Sequence, residues 1–265
     1  MFSDEASGIK EAKINTHLRE KVESWRKDQL LLKQRLVYES KIQDVDSIRY
    51  IAGLDISFDK TSPKAVSALV LYDFQDAQVI YRDYLEIDSL KEEYVPGFLS
   101  FREIEWYLPL LERIPQNYSI DLIMVDGNGT LHPIQFGLAC HLGVLINLPT
   151  MGVAKNYFHC FGLNESLDEH RQRLSNHILT NPSRPPLLLH SLREPSTILG
   201  AAVWTRRESK RPIYVSIGNQ LTLDIAIQLV FRTSGVDSKI PEPIRQADIF
   251  AKFVIHERKN AQKRG

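Results

Sequence analysis

Apolar positions early in the chain recur at helical spacing, and then the period shortens. Between His17 and about Gln43, Leu18, Val22, Trp25 and Gln29 fall on one side of a helix. Leu30, Leu31 and Leu32 follow, with Lys, Arg and Glu distributed between them. This pattern predicts an amphipathic surface helix. From residue 48 the spacing is that of strands. IRYIAGLDISF (48–58), AVSALVLYDF (65–74) and QVIYRDYLEI (78–87) are rich in Val, Ile and Tyr, and the polar turn Gln75-Asp76-Ala77 joins the last two. Three strands with short connections predict an antiparallel meander.

Beyond the meander, helix and strand alternate. Helices are predicted over about 97–113, 136–146, 166–179, 222–233 and 243–259, and strands over 121–125, 150–153, 198–205 and 213–217. NPSRPPLLLHSLREPS (181–196) is proline-rich and reads as loop. The order predicts one α/β domain over 15–259, a mixed central sheet with helices on both faces. Residues 1–14 read as a mobile N-terminal tail and 260–265 as a basic C-terminal tail.

Composition narrows the class. Of 265 residues, 43% are hydrophobic and 25% charged, and the formal net charge is zero. A strongly basic nucleic-acid binder is therefore excluded, whereas a local basic groove is not. Cys140 and Cys160 lack the paired spacing of a disulfide framework or a zinc site. They are expected to be reduced and buried. The start, MFSDEASGIKEAKI, has no apolar signal-peptide core, and no stretch approaches a membrane span. A soluble protein of the cytoplasm or nucleus, with no membrane partner, is expected.

Four carboxylates stand out by position. Asp55 interrupts a strand, sharing a face with Gly53 and Ser57; a solvated edge strand would also explain it. Glu103 lies in a helical stripe of Leu99, Trp106, Tyr107 and Leu110, where a carboxylate needs a cation partner. Glu105, near Arg102, is explained by a solvated ion pair. Asp126 ends the apolar run Leu122–Val125 and enters Gly127-Asn128-Gly129. Open α/β sheets bind ligands at such strand ends, and glycines permit close backbone approach, although an Asp-Gly turn is common. The loop is not an EF-hand: Leu131 and Gly137 stand where Gly and Glu are required. Asp248 lies in the final helix, begun near Pro243, and partial solvation would also account for it. Taken together, the four acids suit a two-metal phosphodiesterase site, because crowded carboxylates stay ionised only beside compensating cations.

At these residues the chain resembles the endonuclease V family, inosine-directed nucleases with an RNase H-like fold. GLDISF, YVPGFLSFRE, VDGNGTLHP, FGLACHLGV, GVAK, PIYVSIG and IPEPIRQAD occur in family order and cover roughly residues 30 to 258. The resemblance implies that Asp55, Glu103, Asp126 and Asp248 hold Mg²⁺, with Mn²⁺ able to substitute. It makes these acids catalytic together with Lys155, near the scissile phosphate, which the residues alone would leave as a solvated lysine. It makes Tyr94 a wedge beside an extruded base. It places Gly97, Leu99, Gly127, Gly137 and Leu138 in the base pocket and His132 near it, although a lone His is more often structural.

Two departures matter. Glu93 precedes Tyr94 where the family usually has Pro, and Ile134-Gln135-Phe136 replaces paired arginines of bacterial members. The chain therefore looks like the eukaryotic branch. The implied activity is Mg²⁺-dependent cleavage of single-stranded inosine-containing RNA at the second phosphodiester bond 3′ to inosine. The products would carry 5′-phosphate and 3′-hydroxyl ends, and the enzyme would be a monomer. Deoxyinosine-containing DNA, a non-catalytic inosine-RNA binder and a structure-directed junction nuclease remain as alternatives, since reading a 2′-hydroxyl leaves no trace in sequence.

Overall fold

The computed structural model describes residues 16–160, 163–236 and 238–264. The N-terminal tail expected over 1–14 lies outside them. Helix α1 (Thr16–Lys33) leads into the meander β1 (Tyr50–Phe58), β2 (Ala65–Asp73) and β3 (Gln78–Ile87). Then follow α2 (Leu99–Glu112), β4 (Leu122–Asp126), α3 (Leu138–Ile146), β5 (Thr150–Ala154) and α4 (Leu167–Thr180). The chain continues through β6 (Leu187–His190), β7 (Ile198–Val203), β8 (Ile213–Asn219), α5 (Leu223–Thr233) and α6 (Glu242–Arg264).

The strands form one sheet in the order β3-β2-β1-β4-β5-β8-β7-β6. β1, β4 and β5 run parallel at its centre, and the remaining pairs are antiparallel. Two apolar layers follow from strand alternation. Ala52, Leu54, Ile56, Ile123 and Val125 pack against Ile104, Tyr107 and Leu110 of α2 and Leu138 and Leu142 of α3. Ile51, Met124, Met151 and Val153 pack against Ile225, Leu229 and Val230 of α5 and Ile244 of α6. Helices thus cover both faces, as predicted. Among the described residues no helix is long and apolar enough to cross a membrane.

Three boundaries differ from expectation. α1 stops at Lys33 rather than near Gln43. Past it, Val37 N–H donates to Asn219 Oδ1 at 3.0 Å, and Val37 C=O accepts from Gln220 N–H at 2.7 Å. These bonds to the end of β8 hold the segment extended. β6 forms inside the proline-rich stretch, where Leu187–His190 pair with β7. α6 runs to Arg264, beyond the predicted Lys259.

One contact fixes the layer that matters for chemistry. A Cβ on Gly53 would lie 2.1 Å from the Pro243 carbonyl oxygen, so the start of α6 rests directly on β1. Gly53→Ala is expected to cost about 3 kcal/mol, the upper end for overpacking, because backbone rather than a flexible side chain must yield. Denaturant titration of the variant checks this.

Candidate active site

β1 and β4 are in register from Ile51 opposite Leu122 to Leu54 opposite Val125. One further residue sets Asp55 beside Asp126 at the C-terminal end of the parallel strands. The two carboxyls are close enough that Asp126 raises the pKa of Asp55. β1 lies inside the sheet, so the edge-strand explanation of Asp55 is wrong; the side chain is only 5% exposed. Burial, then the neighbouring Asp126 and Asp248, push its pKa upward.

Asp248 reaches the same place from α6. Ser57 Oγ donates to Asp248 Oδ1 at 3.0 Å and lies 3.3 Å from Asp55 Oδ2, bridging helix and strand. Lys252 holds the other oxygen of Asp248 at 2.6 Å. Burial raises the pKa of Asp248, but the bonds from Lys252 and Ser57 outweigh it and the net shift is downward. Glu103 enters from α2, on the opposite sheet face, and is 7% exposed. Its donor is the Tyr107 hydroxyl at 3.0 Å, not the cation the sequence called for. Burial raises it to about 8 against that bond, and Asp55 and Asp126 add to the rise. Glu105 pairs with Lys91 at 3.1 Å, a surface contact. Lys155 follows β5 and places Nζ 2.5 Å from Asp126 Oδ2. Burial is the largest single influence on its pKa and lowers it, but Asp126, Asp55 and Asp248 together raise it for a net rise.

The structure therefore brings Asp55, Glu103, Asp126, Asp248 and Lys155 to one strand end. Among the described residues no three His, Cys, Asp or Glu side chains already form a metal-ligand set; Lys155 and Lys252 engage two of the acids. The donors are nonetheless all hard oxygens. Two of them are buried with their protonated forms favoured, first by desolvation and then by the neighbouring carboxylates, and a cation placed among them would offset both. That chemistry fits a hard divalent cation.

A cavity lies a short way along the chain from the acids, with Asn128 two residues past Asp126 and Leu99 and Ser100 one turn before Glu103. Tyr94, Gly97, Leu99, His132, Gly137 and Leu138 line it, together with Ser100, Asn128 and Phe158, which the sequence did not single out. Its empty space is about 370 Å³, open to solvent on one side. Gly97 adopts φ +87°, a left-handed conformation that favours glycine. Its carbonyl accepts from Gln29 Nε2 at 2.9 Å and lies 2.9 Å from His132 Nε2. Burial lowers His132 to about 4, so the neutral ring braces the rim. Asn128 contributes a buried Oδ1 without a hydrogen-bond partner among the described residues. Buried orphan acceptors are rare in folded proteins and invite a donor from a ligand.

Gly127 is not among the lining residues. A Cβ there would meet Leu138 Cδ2 at 3.0 Å, and one on Gly129 would meet the Ile217 carbonyl oxygen at 1.9 Å. The glycines of this turn thus admit α3 and β8, and the Leu138 and Leu99 side chains that a Gly127 Cβ would meet both line the cavity. The departure at Glu93 has a counterpart: Lys21 of α1 pairs with the adjacent Glu92 at 2.6 Å, tying down the loop before Tyr94. Ile134 and Phe136 pack against Leu36, Cys140 and Val144. They are therefore core-facing in place of a cationic surface. Both cysteines are buried free thiols, and burial pushes each up to about 12.

Carboxylates gathered at the ends of parallel strands, in a sheet with an antiparallel meander, define an RNase H-like nuclease. The family model described as Endonuclease V matches residues 31–249. The chain belongs to the endonuclease V family, nucleases of inosine-containing nucleic acid. A putative endonuclease of Schizosaccharomyces pombe is 60% identical over 249 residues, covering 94% of this chain and 99% of that one. Human Endonuclease V is 36% identical, covering 88% and 83%. The crystal structure of Ciona intestinalis Endonuclease V, in complex with a DNA containing an inosine followed by a ribo-adenosine, superposes with a TM-score of 0.83. It is 27% identical, covering 90% of this chain and 98% of that one.

Proposed function

We propose that this protein is a Mg²⁺-dependent endoribonuclease. It cuts single-stranded RNA at the second phosphodiester bond 3′ to inosine and leaves 5′-phosphate and 3′-hydroxyl ends. The observation that carries the reading is a cavity lined by Tyr94, Gly97 and Leu138 whose wall residue Asn128 lies two residues past Asp126, which in turn raises the pKa of Asp55.

Asp55, Glu103, Asp126 and Asp248 would hold the metal. When bound, the divalent cation offsets the charge of the carboxylates and phosphate and acidifies a water. The protein's own residues do the rest. Lys155 places an ammonium beside Asp126, where it faces an anionic oxygen of the scissile group. The cavity receives the flipped base, and Tyr94, 56% exposed, covers the gap it leaves. Hypoxanthine differs from adenine by a protonated N1 and a carbonyl at C6. The orphan Asn128 Oδ1 is an acceptor for that N1–H, and adenine offers no proton there.

Two features favour RNA. Ile134-Gln135-Phe136, with Ile134 and Phe136 facing the core, takes the place of paired arginines, and the DNA in complex with the Ciona intestinalis relative has a ribo-adenosine directly after its inosine. The test is cleavage of end-labelled single-stranded RNA with one inosine in Mg²⁺, beside adenosine-RNA and deoxyinosine-DNA of the same sequence. A single cut in the inosine-RNA alone supports the proposal. Equal or better cutting of the DNA makes this a DNA-repair nuclease instead.

Tyr94→Ala is expected to leave stability unchanged, because the side chain is largely in solvent. It should weaken cleavage of the inosine substrate by about 5- to 150-fold in kcat/KM, the equivalent of one lost base–aromatic contact of ~1–3 kcal/mol. Steady-state kinetics with a thermal melt of the same preparation separates the two effects.

A further inference from the structure

A second cleft lies across the loop that follows β5. Phe158 of this loop lines the base cavity, whereas Lys155, Asn156 and Tyr157 line the second cleft. Leu167, His170, Arg171 and Leu174 of α4 form one wall, and Arg211, Pro212 and Tyr214 form the other. Its empty space is about 720 Å³, about twice that of the base cavity.

The cleft is basic where it meets the acids. Lys155 stands at the junction, bonded to Asp126. Lys239 is held against the same wall, donating to the carbonyls of Arg211 and Pro212 at 3.4 and 3.3 Å. Burial depresses its pKa, and the repelling charges of Arg211 and Lys155 depress it further. Lys155, Arg171 and Arg211 thus line the cleft, and Lys239 adds its charge from beside the Arg211-Pro212 wall. Carboxylates near the cleft are already engaged. Glu165 is bonded to His170 at 2.7 Å and to Arg173 at 3.4 Å. Asp168 pairs with Arg171 at 3.0 Å, but both side chains are largely in solvent, where such a pair is worth little and opens readily. The floor is rigid: Tyr157 stacks on His170 at 3.7 Å, and His170 Nε2 lies 2.9 Å from the Tyr214 hydroxyl. A concave surface with Arg171 held only in a solvated pair and Arg211 on the facing wall suits a polyanion with regularly spaced charges.

We infer that this cleft binds the backbone phosphates of the nucleic-acid strand 3′ of the cleaved bond, with Arg171 and Arg211 as the contacts. The direction rests on the function proposed above. With the base in its cavity and the bond opposite Asp126 and Lys155, a strand continuing 3′ passes Lys155 into the cleft. The strand released there carries the new 5′-phosphate.

The experiment uses the full chain and inosine-RNAs with a common 5′ side. One ends one nucleotide past the bond, and another extends about eight nucleotides further, within the site size of a single-strand groove. Binding is read by fluorescence anisotropy in EDTA and cleavage in Mg²⁺. Wild-type protein is expected to bind the extended RNA more tightly, and Arg171→Glu/Arg211→Glu to lose that gain while cutting the short RNA at the wild-type rate. At ~0.7 in salt slope per phosphate contact, losing two contacts makes the variant about sevenfold less sensitive between 50 and 200 mM salt. The single variant Arg211→Gln gives an intermediate slope if the double variant proves unstable. Equal affinity for both RNAs, a gain from 5′ rather than 3′ extension, or an unchanged slope in the variants overturns the inference. Binding that depends on 3′ length without any inosine-dependent cutting leaves the cleft standing and removes the proposed function.

Discussion

Asp126→Asn protein is expected to fold normally and to lose at least about 10³-fold in cleavage rate, ~4 kcal/mol of barrier. The fold tolerates the change because the backbone of residue 126 holds its place, paired with Val153 of β5. The side chain sits at the strand end, partly in solvent, and its bond to Lys155 can be kept by an amide oxygen. Stability should therefore move by no more than about 1 kcal/mol, the range for exposed pairs. The chemistry does not tolerate it. Asp126 is the acid that acts on Asp55, Glu103 and Lys155 alike, so it stands at the electrostatic centre of the cluster. An amide removes one negative charge from the donor set and one strong oxygen ligand. Single-turnover cleavage beside a denaturation curve checks both halves. A folded Asp126→Asn protein that cuts at the wild-type rate removes this residue from the site.

A second large effect is expected in metal-free protein: stability should fall as pH rises from 6.5 to 8. Asp55 and Glu103 have folded pKa values raised above their ordinary values of 3.8 and 4.5, in the case of Glu103 to about 8. The folded chain then binds protons more tightly than the unfolded chain, so each acid destabilises as pH rises through that window. His132 and His141 work the other way. Burial lowers both to about 4 from 6.5, so each adds stability as pH rises to 6.5 and nothing above it. Below 6.5 the two sets oppose one another; above it the acids act alone. The two acids together should cost about 3 kcal/mol between pH 6.5 and 8. Asp55→Asn should remove roughly half of that slope. Saturating divalent metal should flatten the remainder, adding ~2.7 kcal/mol at a hundred times its dissociation constant. Urea titrations in EDTA and in Mg²⁺ at the two pH values are the measurement. A flat profile in EDTA would mean that the acids are solvated rather than buried.

The parts of this protein visible in its sequence are those set by short-range pattern. The meander, the alternation after it and the strand-end position of Asp126 follow from period, β-branched content and turn residues, and the observed elements match closely. The misses have tertiary causes. β6 is four residues among prolines, and pairing with β7 rather than propensity makes it a strand. α1 ends early because the end of β8 captures Val37. The acids were individually ambiguous. What joins them is the register of β1 on β4 and the seat of Pro243 on Gly53, and neither can be read along the chain. The glycines after Asp126 make room for Leu138 and for the backbone of β8, a need that leaves the same local signature as a ligand's approach. Asn128 and Phe158 carry no signal beyond ordinary loop composition, and only the cavity picks them out.

The bond from Gln29 to the Gly97 carbonyl has a consequence for how this nuclease can change over time. Gln29 lies on α1, as does Trp25, which stacks on Phe101 of α2 at 5.1 Å between centroids. The acids instead belong to β1, β4, α2 and α6. α1 thus acts as an external brace for the cavity rim and for α2, which carries Glu103. If the cavity receives the base as proposed, drift in that helix retunes which base is accepted while β1, β4 and α6 keep three of the four acids in place.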